Sequence, residues 1–179
     1  MPNRAVDISK ALPIEGWMTE KELFWLGEQA QTHKRIVEFG SFCGRSTRAL
    51  CDNAAGWVMA VDDWRGARED KLHDPKLVLA RFKHNLHGVP CELRIVTGDH
   101  TNNKIIDYVS SQNPDMVFLD GSHELRDVAS QLMYWKIHMN PGSLLCGHDG
   151  DFPGVTYSVI NILGSLVLAP ETAIWYATV

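Results

Sequence analysis

The sequence predicts an α/β fold, a doubly wound, mostly parallel sheet of seven strands that closes with a C-terminal antiparallel hairpin strand, in a single domain over residues 1–179. Three observations predict it. Short β-branched runs alternate with stretches of helical length and periodicity, the pattern of a parallel sheet covered by helices. The first run ends in a glycine turn, Gly40-Ser41-Phe42-Cys43-Gly44, that opens a helix. Each of the next four runs ends in carboxylates, at Asp62-Asp63, Asp99, Asp120 and Asp149.

Taken in order, Thr19-Glu20-Lys21-Glu22 has capping-box spacing ahead of Leu23, Phe24, Leu26 and Ala30, which predicts a helix over 19–32. Residues 35–39 (RIVEF) form the first strand and 45–53 the helix after the glycine turn. The alternation continues with a strand at 57–61, a helix at 75–87, a strand at 92–97 and a helix at 102–111. A strand at 115–119 precedes the longest helix, 122–139, with Ser122 at its start. The Pro141-Gly142 turn leads into a fifth strand at 143–146. Residues 155–163 read as a helix, and 166–168 with 172–179 as two strands joined by a tight Ala169-Pro170-Glu171 turn, necessarily antiparallel.

At 179 residues and 45% apolar content the chain can bury one α/β core and no second domain of ordinary size. A formal charge of −5 with interspersed signs offers no basic stripe to neutralise a phosphate backbone, which argues against nucleic acid and for a small-molecule partner. No run reaches membrane-spanning length and MPNRAVDISK lacks the pattern of a secretory signal, so a cytoplasmic protein without membrane contact is expected. Cys43, Cys51, Cys91 and Cys146 show no paired spacing and read as reduced core thiols. The aromatic, uncharged ending Ala173-Ile174-Trp175-Tyr176 offers a sheet edge on which two copies could pair as a homo-oligomer.

The glycine turn carries the most chemistry. Such a turn lets backbone approach a ligand while helix N–H groups face it. A dinucleotide fingerprint would need glycines where this chain has Phe42 and Arg45, which disfavours an NAD-linked oxidoreductase. Carboxylates at the strand ends would converge on the crevice where open α/β sheets bind ligands.

With its acidic residue followed by Gly-x-x-x-Gly in a strand-turn-helix, and with Val61-Asp62-Asp63-Trp64, Gly98-Asp99-His100, Asp120-Gly121-Ser122-His123 and Gly147-His148-Asp149 in order, the chain resembles the class I S-adenosylmethionine-dependent methyltransferases. It resembles in particular the subgroup of macrocin-type and other macrolide-sugar O-methyltransferases and cephalosporin-hydroxylase-like proteins, over residues 14–179. The resemblance implies a Rossmann-like fold, S-adenosylmethionine as cofactor and methyl transfer to a small-molecule hydroxyl. It implies that Gly40 and Ser46 lie by the methionine part, with Ser41 and Gly44 in the same cofactor-binding turn, Asp62 by the ribose, Asp99 or His100 by the adenine, and Asp120 at the cofactor as well as the reacting centre; Glu38 touches the cofactor's ammonium or else bonds nearby backbone N–H groups.

The same resemblance places a divalent metal, magnesium or manganese, on carboxylates at two strand ends, Asp120 and Asp149; His148, where this chain departs from the magnesium pattern of some members, is a third ligand or else only bonds backbone and leaves Asp149 alone to bind metal or orient a partner. Carboxylates suit a hard cation, whereas an imidazole at 148 suits manganese, iron or zinc better than magnesium. His148 and Asp149 can share an ion only where the chain has left the strand, since neighbours on a strand point to opposite faces. His123 is expected to be the general base, or else to brace the metal shell by bonding a carboxylate. Trp17 reads as a hydrophobic staple or core residue in preference to a lid, and His84 and His87 as solvated. The alternative to an enzyme is a cofactor-binding interaction subunit without turnover.

Overall fold

The computed structural model describes residues 4–66 and 74–179. Helix α1 (Glu20–Ala30) starts on Thr19 with the capping box the sequence predicts: the Thr19 hydroxyl accepts from the Glu22 backbone N–H, and the Glu22 carboxylate accepts from the Thr19 N–H. Strand β1 (Arg35–Phe39), α2 (Arg45–Asn53), β2 (Trp57–Asp62), α3 (Pro75–Asn85), β3 (Glu92–Thr97), α4 (Asn103–Ser110) and β4 (Met116–Leu119) follow. Helix α5 (Leu125–His138), β5 (Leu144–Gly147), α6 (Pro153–Leu163) and β6 (Trp175–Thr178) complete the chain.

The sheet runs β3-β2-β1-β4-β5-β6, with only β6 antiparallel. Alternation divides its side chains between two cores. Ile36, Val58, Ala60, Met116, Phe118 and Cys146 face Leu23, Leu26, Leu50 and Phe82 of α1–α3. Val37, Phe39, Met59, Val61, Val117 and Leu145 face Val109, Leu132, Trp135 and Val159 of α4–α6. No helix among the described residues is long and apolar enough to cross a membrane.

The described sheet has six strands, one fewer than expected. Residues 166–168 make a single bridge, Leu168 to Trp175, because Thr172, Ala173 and Ile174 are spent on a turn: the Thr172 N–H bonds to the Ala169 carbonyl and the Ile174 N–H to the Thr172 hydroxyl. That turn shortens β6 to four residues and leaves Val167 and Leu168 exposed. It also engages the edge that the sequence offered to a second copy, through bonds from the Tyr176 N–H to Val167 O and from the Ala169 N–H to Ile174 O, while Trp175 is buried.

A second difference lies at α5, which begins at Leu125 and not at Ser122. The Ser122 hydroxyl bonds to the Asp127 carboxylate and the Glu124 N–H, so His123 sits in a loop ahead of the helix and not in its first turn.

Candidate active site

The crossing between β1 and β4, where the strand order reverses, opens a crevice at the C-terminal strand ends. Gly40 closes its floor. With φ +91 it lies so near β4 that a Cβ would stand 2.2 Å from the Asp120 carbonyl oxygen. Its missing side chain therefore serves the approach of one strand end to another before it serves any ligand. Gly44, at φ +89, meets a helix instead. A Cβ there would strike Leu86 at 2.2 Å, so this glycine seats α2 on the α3 segment.

Asp62 ties the turn to β2. Its Oδ2 accepts from the N–H groups of Ser41 and Phe42, both at 2.7 Å, and its Oδ1 accepts from Trp64 N–H at 2.6 Å. Phe42 (φ +44) and Trp64 (φ +65) are non-glycine residues in left-handed backbone, and this carboxylate holds both. Burial pushes the Asp62 carboxyl upward and the three N–H groups pull it back. Glu38 lies beneath the turn: its Oε2 accepts from the hydroxyls of Ser41 (2.7 Å) and Thr47, and its Oε1 is buried with no hydrogen-bond partner among the described residues. Burial raises its carboxyl as well.

Above the turn is a cavity of about 620 Å³, a volume suited to a cofactor together with part of a substrate. Gly40, Ser41, Ser46, Asp62, Asp99, His100 and Asp120 line it, whereas Glu38 and Gly44 do not. The lining suits S-adenosylmethionine: a close-packed glycine turn with the Ser46 hydroxyl, a carboxylate at the end of β2 and polar side chains after β3. Asp62 has spent three of its four lone pairs on backbone, which leaves one direction for a ribose hydroxyl. Asp99 bonds Thr101 through Oδ1, and the His100 ring packs on Gly121.

One wall is built by a segment sequence reading left unassigned. The Arg45 guanidinium donates to the carbonyls of Leu12, Ile14 and Met18 and so straps residues 12–18 across the start of α2. Trp17 ends up 62% exposed at the cavity, its ring centroid 5.2 Å from that of Phe42, so it is neither staple nor core; Met18 takes the buried place.

At the β4 and β5 ends, Asp120, His148 and Asp149 come together, with one potential ligand atom of each within 4.8 Å of the others. Strand β5 ends at Gly147, and Asp149 has φ +57, which turns its carboxylate onto the same centre as His148. His148 Nδ1 lies 3.1 Å from Asp149 Oδ1 and 3.6 Å from Asp120 Oδ1, separations normal for neighbouring ligands around an ion with bonds of about 2.1 Å. One nitrogen and two carboxylates thus fit a divalent cation. The other Asp149 oxygen, Oδ2, lies 2.6 Å from His123 Nε2, and the Phe152 ring packs against His123 in a tilted arrangement with centroids 4.5 Å apart.

His148 also reaches Glu22, with Nε2 3.1 Å from Oε1. Burial opposes the imidazolium, but bonds from Asp149 and Glu22 and the charge of Asp120 outweigh it and raise His148 to about 11. Burial likewise works against the Glu22 carboxylate, yet bonds from His148, Thr19 and Ala173 hold it at about 2. Asp149 is held low against its burial by His123 and His148. Asp120 goes the other way: burial, with Asp149 and Glu38 nearby, pushes it to about 8. Sequence reading missed Glu22 at this centre, because the capping box accounts for it locally, and it missed Phe152 altogether. Cys43, Cys51 and Cys146 are buried thiols and Cys91 is half-buried.

A family model described as a methyltransferase domain matches residues 37–150, from β1 to just past the His148-Asp149 pair. The chain belongs to this methyltransferase family. It is an S-adenosylmethionine-dependent methyltransferase, which sets aside the NAD-linked reading. Among solved structures the methyltransferase is similar to cofactor-bound Rv0187 from MTB, with 16% identity and a TM-score of 0.68 over 98% of this chain and 87% of that one. It is similar to CalS11, a TDP-rhamnose 3'-O-methyltransferase of calicheamicin biosynthesis (15%, 0.64, 98% and 81%). It is also similar to MycE of the mycinamycin pathway, solved with Mg and SAH (17%, 0.59, 97% and 55%). At these identities the likeness is one of fold. Among curated proteins the sequence finds no match.

Proposed function

We propose that the methyltransferase acts on a hydroxyl oxygen of a small molecule, assisted by a divalent cation on Asp120, His148 and Asp149, with the His123–Asp149 pair receiving the hydroxyl proton. The observation that carries this reading is the double use of Asp149, whose two oxygens face His148 and His123 from one side of the cavity.

S-adenosylmethionine supplies the electrophilic methyl group. The cation, when bound, supplies Lewis acidity that favours the alkoxide at neutral pH. The protein does the rest. Ser46 at the turn holds the methionine part, Asp62 takes a ribose hydroxyl, and Asp99 with His100 flanks the adenine. Positioning supplies much of the rate, since methyl, nucleophilic oxygen and leaving sulfur must lie in line. His123 accepts the proton, and the Asp149 carboxylate stabilises the imidazolium that results, as a carboxylate does in other histidine–carboxylate pairs. Phe152 and Trp17 line the cavity and supply apolar surface for the bound ligands. A magnesium ion in MycE and a sugar hydroxyl as the acceptor of CalS11 support the cation and the oxygen acceptor.

The test is release of S-adenosylhomocysteine across a panel of sugar, phenolic and aliphatic hydroxyl compounds, with and without chelator. Turnover that chelator abolishes and added cation restores is expected. Full turnover in chelator would remove the cation from the reading, and no product with any hydroxyl acceptor would remove oxygen transfer.

A further inference from the structure

Glu22 is 3% exposed on α1, 126 residues from His148 in sequence, and all of its acceptor capacity is in use. Oε2 accepts from the Thr19 N–H at 2.7 Å and the Thr19 hydroxyl at 2.9 Å; Oε1 accepts from the Ala173 N–H at 3.0 Å and faces His148 Nε2 at 3.1 Å. Two of these donors are backbone groups from opposite ends of the chain, so the carboxylate keeps its orientation whatever His148 does. The His148 backbone is pinned separately, its carbonyl accepting from the Trp175 indole N–H at 3.1 Å.

A carboxylate only accepts, so Nε2 keeps its hydrogen toward Glu22, and the proton that His148 must give up to act as a ligand is the one on Nδ1. The ring's opposite nitrogen, Nδ1, is then directed between Asp149 Oδ1 at 3.1 Å and Asp120 Oδ1 at 3.6 Å. A ring turned by half a revolution would put a C–H against Glu22 and forfeit the bond.

We propose that Glu22 is a positioning residue of the cation site: by holding Nε2–H it fixes the His148 tautomer, aims Nδ1 at the space between Asp120 and Asp149, and biases the site toward a transition cation such as manganese over magnesium. This role rests on the cation site proposed above. Histidine ligands commonly donate their second N–H to a carboxylate that orients the ring and raises its basicity. An imidazole nitrogen suits manganese, iron or zinc, whereas magnesium demands a near-ideal oxygen octahedron. A capping glutamate tied into this site makes α1 part of its frame.

The competing reading is that Glu22 only caps α1 and ties down Ala173. Glu22→Gln separates the two, because the amide oxygen can take the place of Oε2 and keep the capping box with the Thr19 N–H, while the amide N–H₂ then stands where Oε1 accepted from His148 Nε2–H and the Ala173 N–H, so the acceptor that holds the ring is gone. Manganese and magnesium affinities are measured by calorimetry on wild type, Glu22→Gln and Thr19→Ala, with the water-proton relaxation of bound manganese as a second readout and melting temperature alongside. Wild type is expected to bind manganese more tightly than magnesium. Glu22→Gln should weaken manganese about 10- to 100-fold and narrow the preference, with S-adenosylmethionine affinity unchanged. Thr19→Ala should lower the melting temperature and leave manganese affinity as it was. Unchanged manganese affinity and preference in Glu22→Gln would overturn this proposal alone, whereas a wild type that binds neither cation would overturn the cation site and this proposal with it.

Discussion

Replacing Asp62 by alanine removes three short N–H to carboxylate bonds, from Ser41, Phe42 and Trp64, with one cut. Hydrogen bonds to a charged group contribute about 1.5 to 3 kcal/mol each, so three set an upper range of about 4.5 to 9 kcal/mol. Water entering from the cavity would re-solvate the half-buried Phe42 first, which brings the expected loss to about 3 to 5 kcal/mol. The two left-handed residues that Asp62 restrains, Phe42 and Trp64, keep the figure from falling lower. For a chain of this size about 2 to 4 °C accompanies each kcal/mol, so melting should drop by about 6 to 20 °C. Cofactor affinity should fall by about 1 to 3 kcal/mol or more, because the ribose bond and the shape of the turn go together. Asp62→Asn, which keeps one acceptor oxygen but turns an amide N–H₂ toward Trp64, should lie between. Thermal unfolding and calorimetric titration with S-adenosylmethionine give both numbers. Melting within about 2 °C of wild type would refute the claim that this carboxylate builds the turn, since even one such bond is expected to shift it more.

Gly40→Ala puts a Cβ 2.2 Å from the Asp120 carbonyl in left-handed backbone and should cost about 2 to 6 kcal/mol of stability, read by urea unfolding; a neutral substitution would show that β1 and β4 do not meet as described. His123→Ala should retain cofactor binding and lose about 10² to 10⁴ in kcat, and the rise of activity with pH that a neutral imidazole imposes on the wild type should vanish from its profile. An unchanged pH profile would mean that His123 only braces Asp149. In cation-free protein the His148 pair, faced by Glu22, Asp120 and Asp149, should shape stability against pH. The raised His148 contributes fully below its ordinary 6.5 and is lost as pH rises toward about 11; the lowered Glu22 contributes fully above its ordinary 4.5 and is lost as pH falls toward about 2. Melting temperature should therefore be highest between about 4.5 and 6.5 for this pair and decline on both sides, and Glu22→Gln should flatten both limbs. A wild-type curve that rises steadily from 6.5 to 10 would contradict the pairing.

Much of the fold was legible because strand-helix alternation and strand-end carboxylates are local signals. Residues 35–39, 45–53 and 92–97 have the same bounds in the structure as in the sequence reading. What was not legible depends on long-range partners. Ser122 looks like a helix start, but its hydroxyl is bound to Asp127 and Glu124, and the chain does not become helical until Leu125. Val167 and Leu168 have strand-like residues, yet the turn at Thr172 leaves them one bridge. Glu22 carries an explanation within three residues, and nothing local hints at partners 126 and 151 positions away. Arg45 stands where a dinucleotide fingerprint would have glycine, and nothing near it in sequence points to its three carbonyl partners, which lie 27 to 33 residues earlier.

Delivery of the methyl group to oxygen beside the Asp120–His148–Asp149 centre is the central claim. The most direct measurement is a single-turnover reaction with S-adenosylmethionine labelled with carbon-13 at the methyl group, run with the most active hydroxyl acceptor in the presence of manganese and again in chelator, and followed by carbon resonance of the product. An O-methyl signal is expected that appears with the cation and not with chelator, at a rate reduced by His123→Ala. Label arriving on nitrogen or sulfur, or an O-methyl signal of equal rate in chelator, would contradict it.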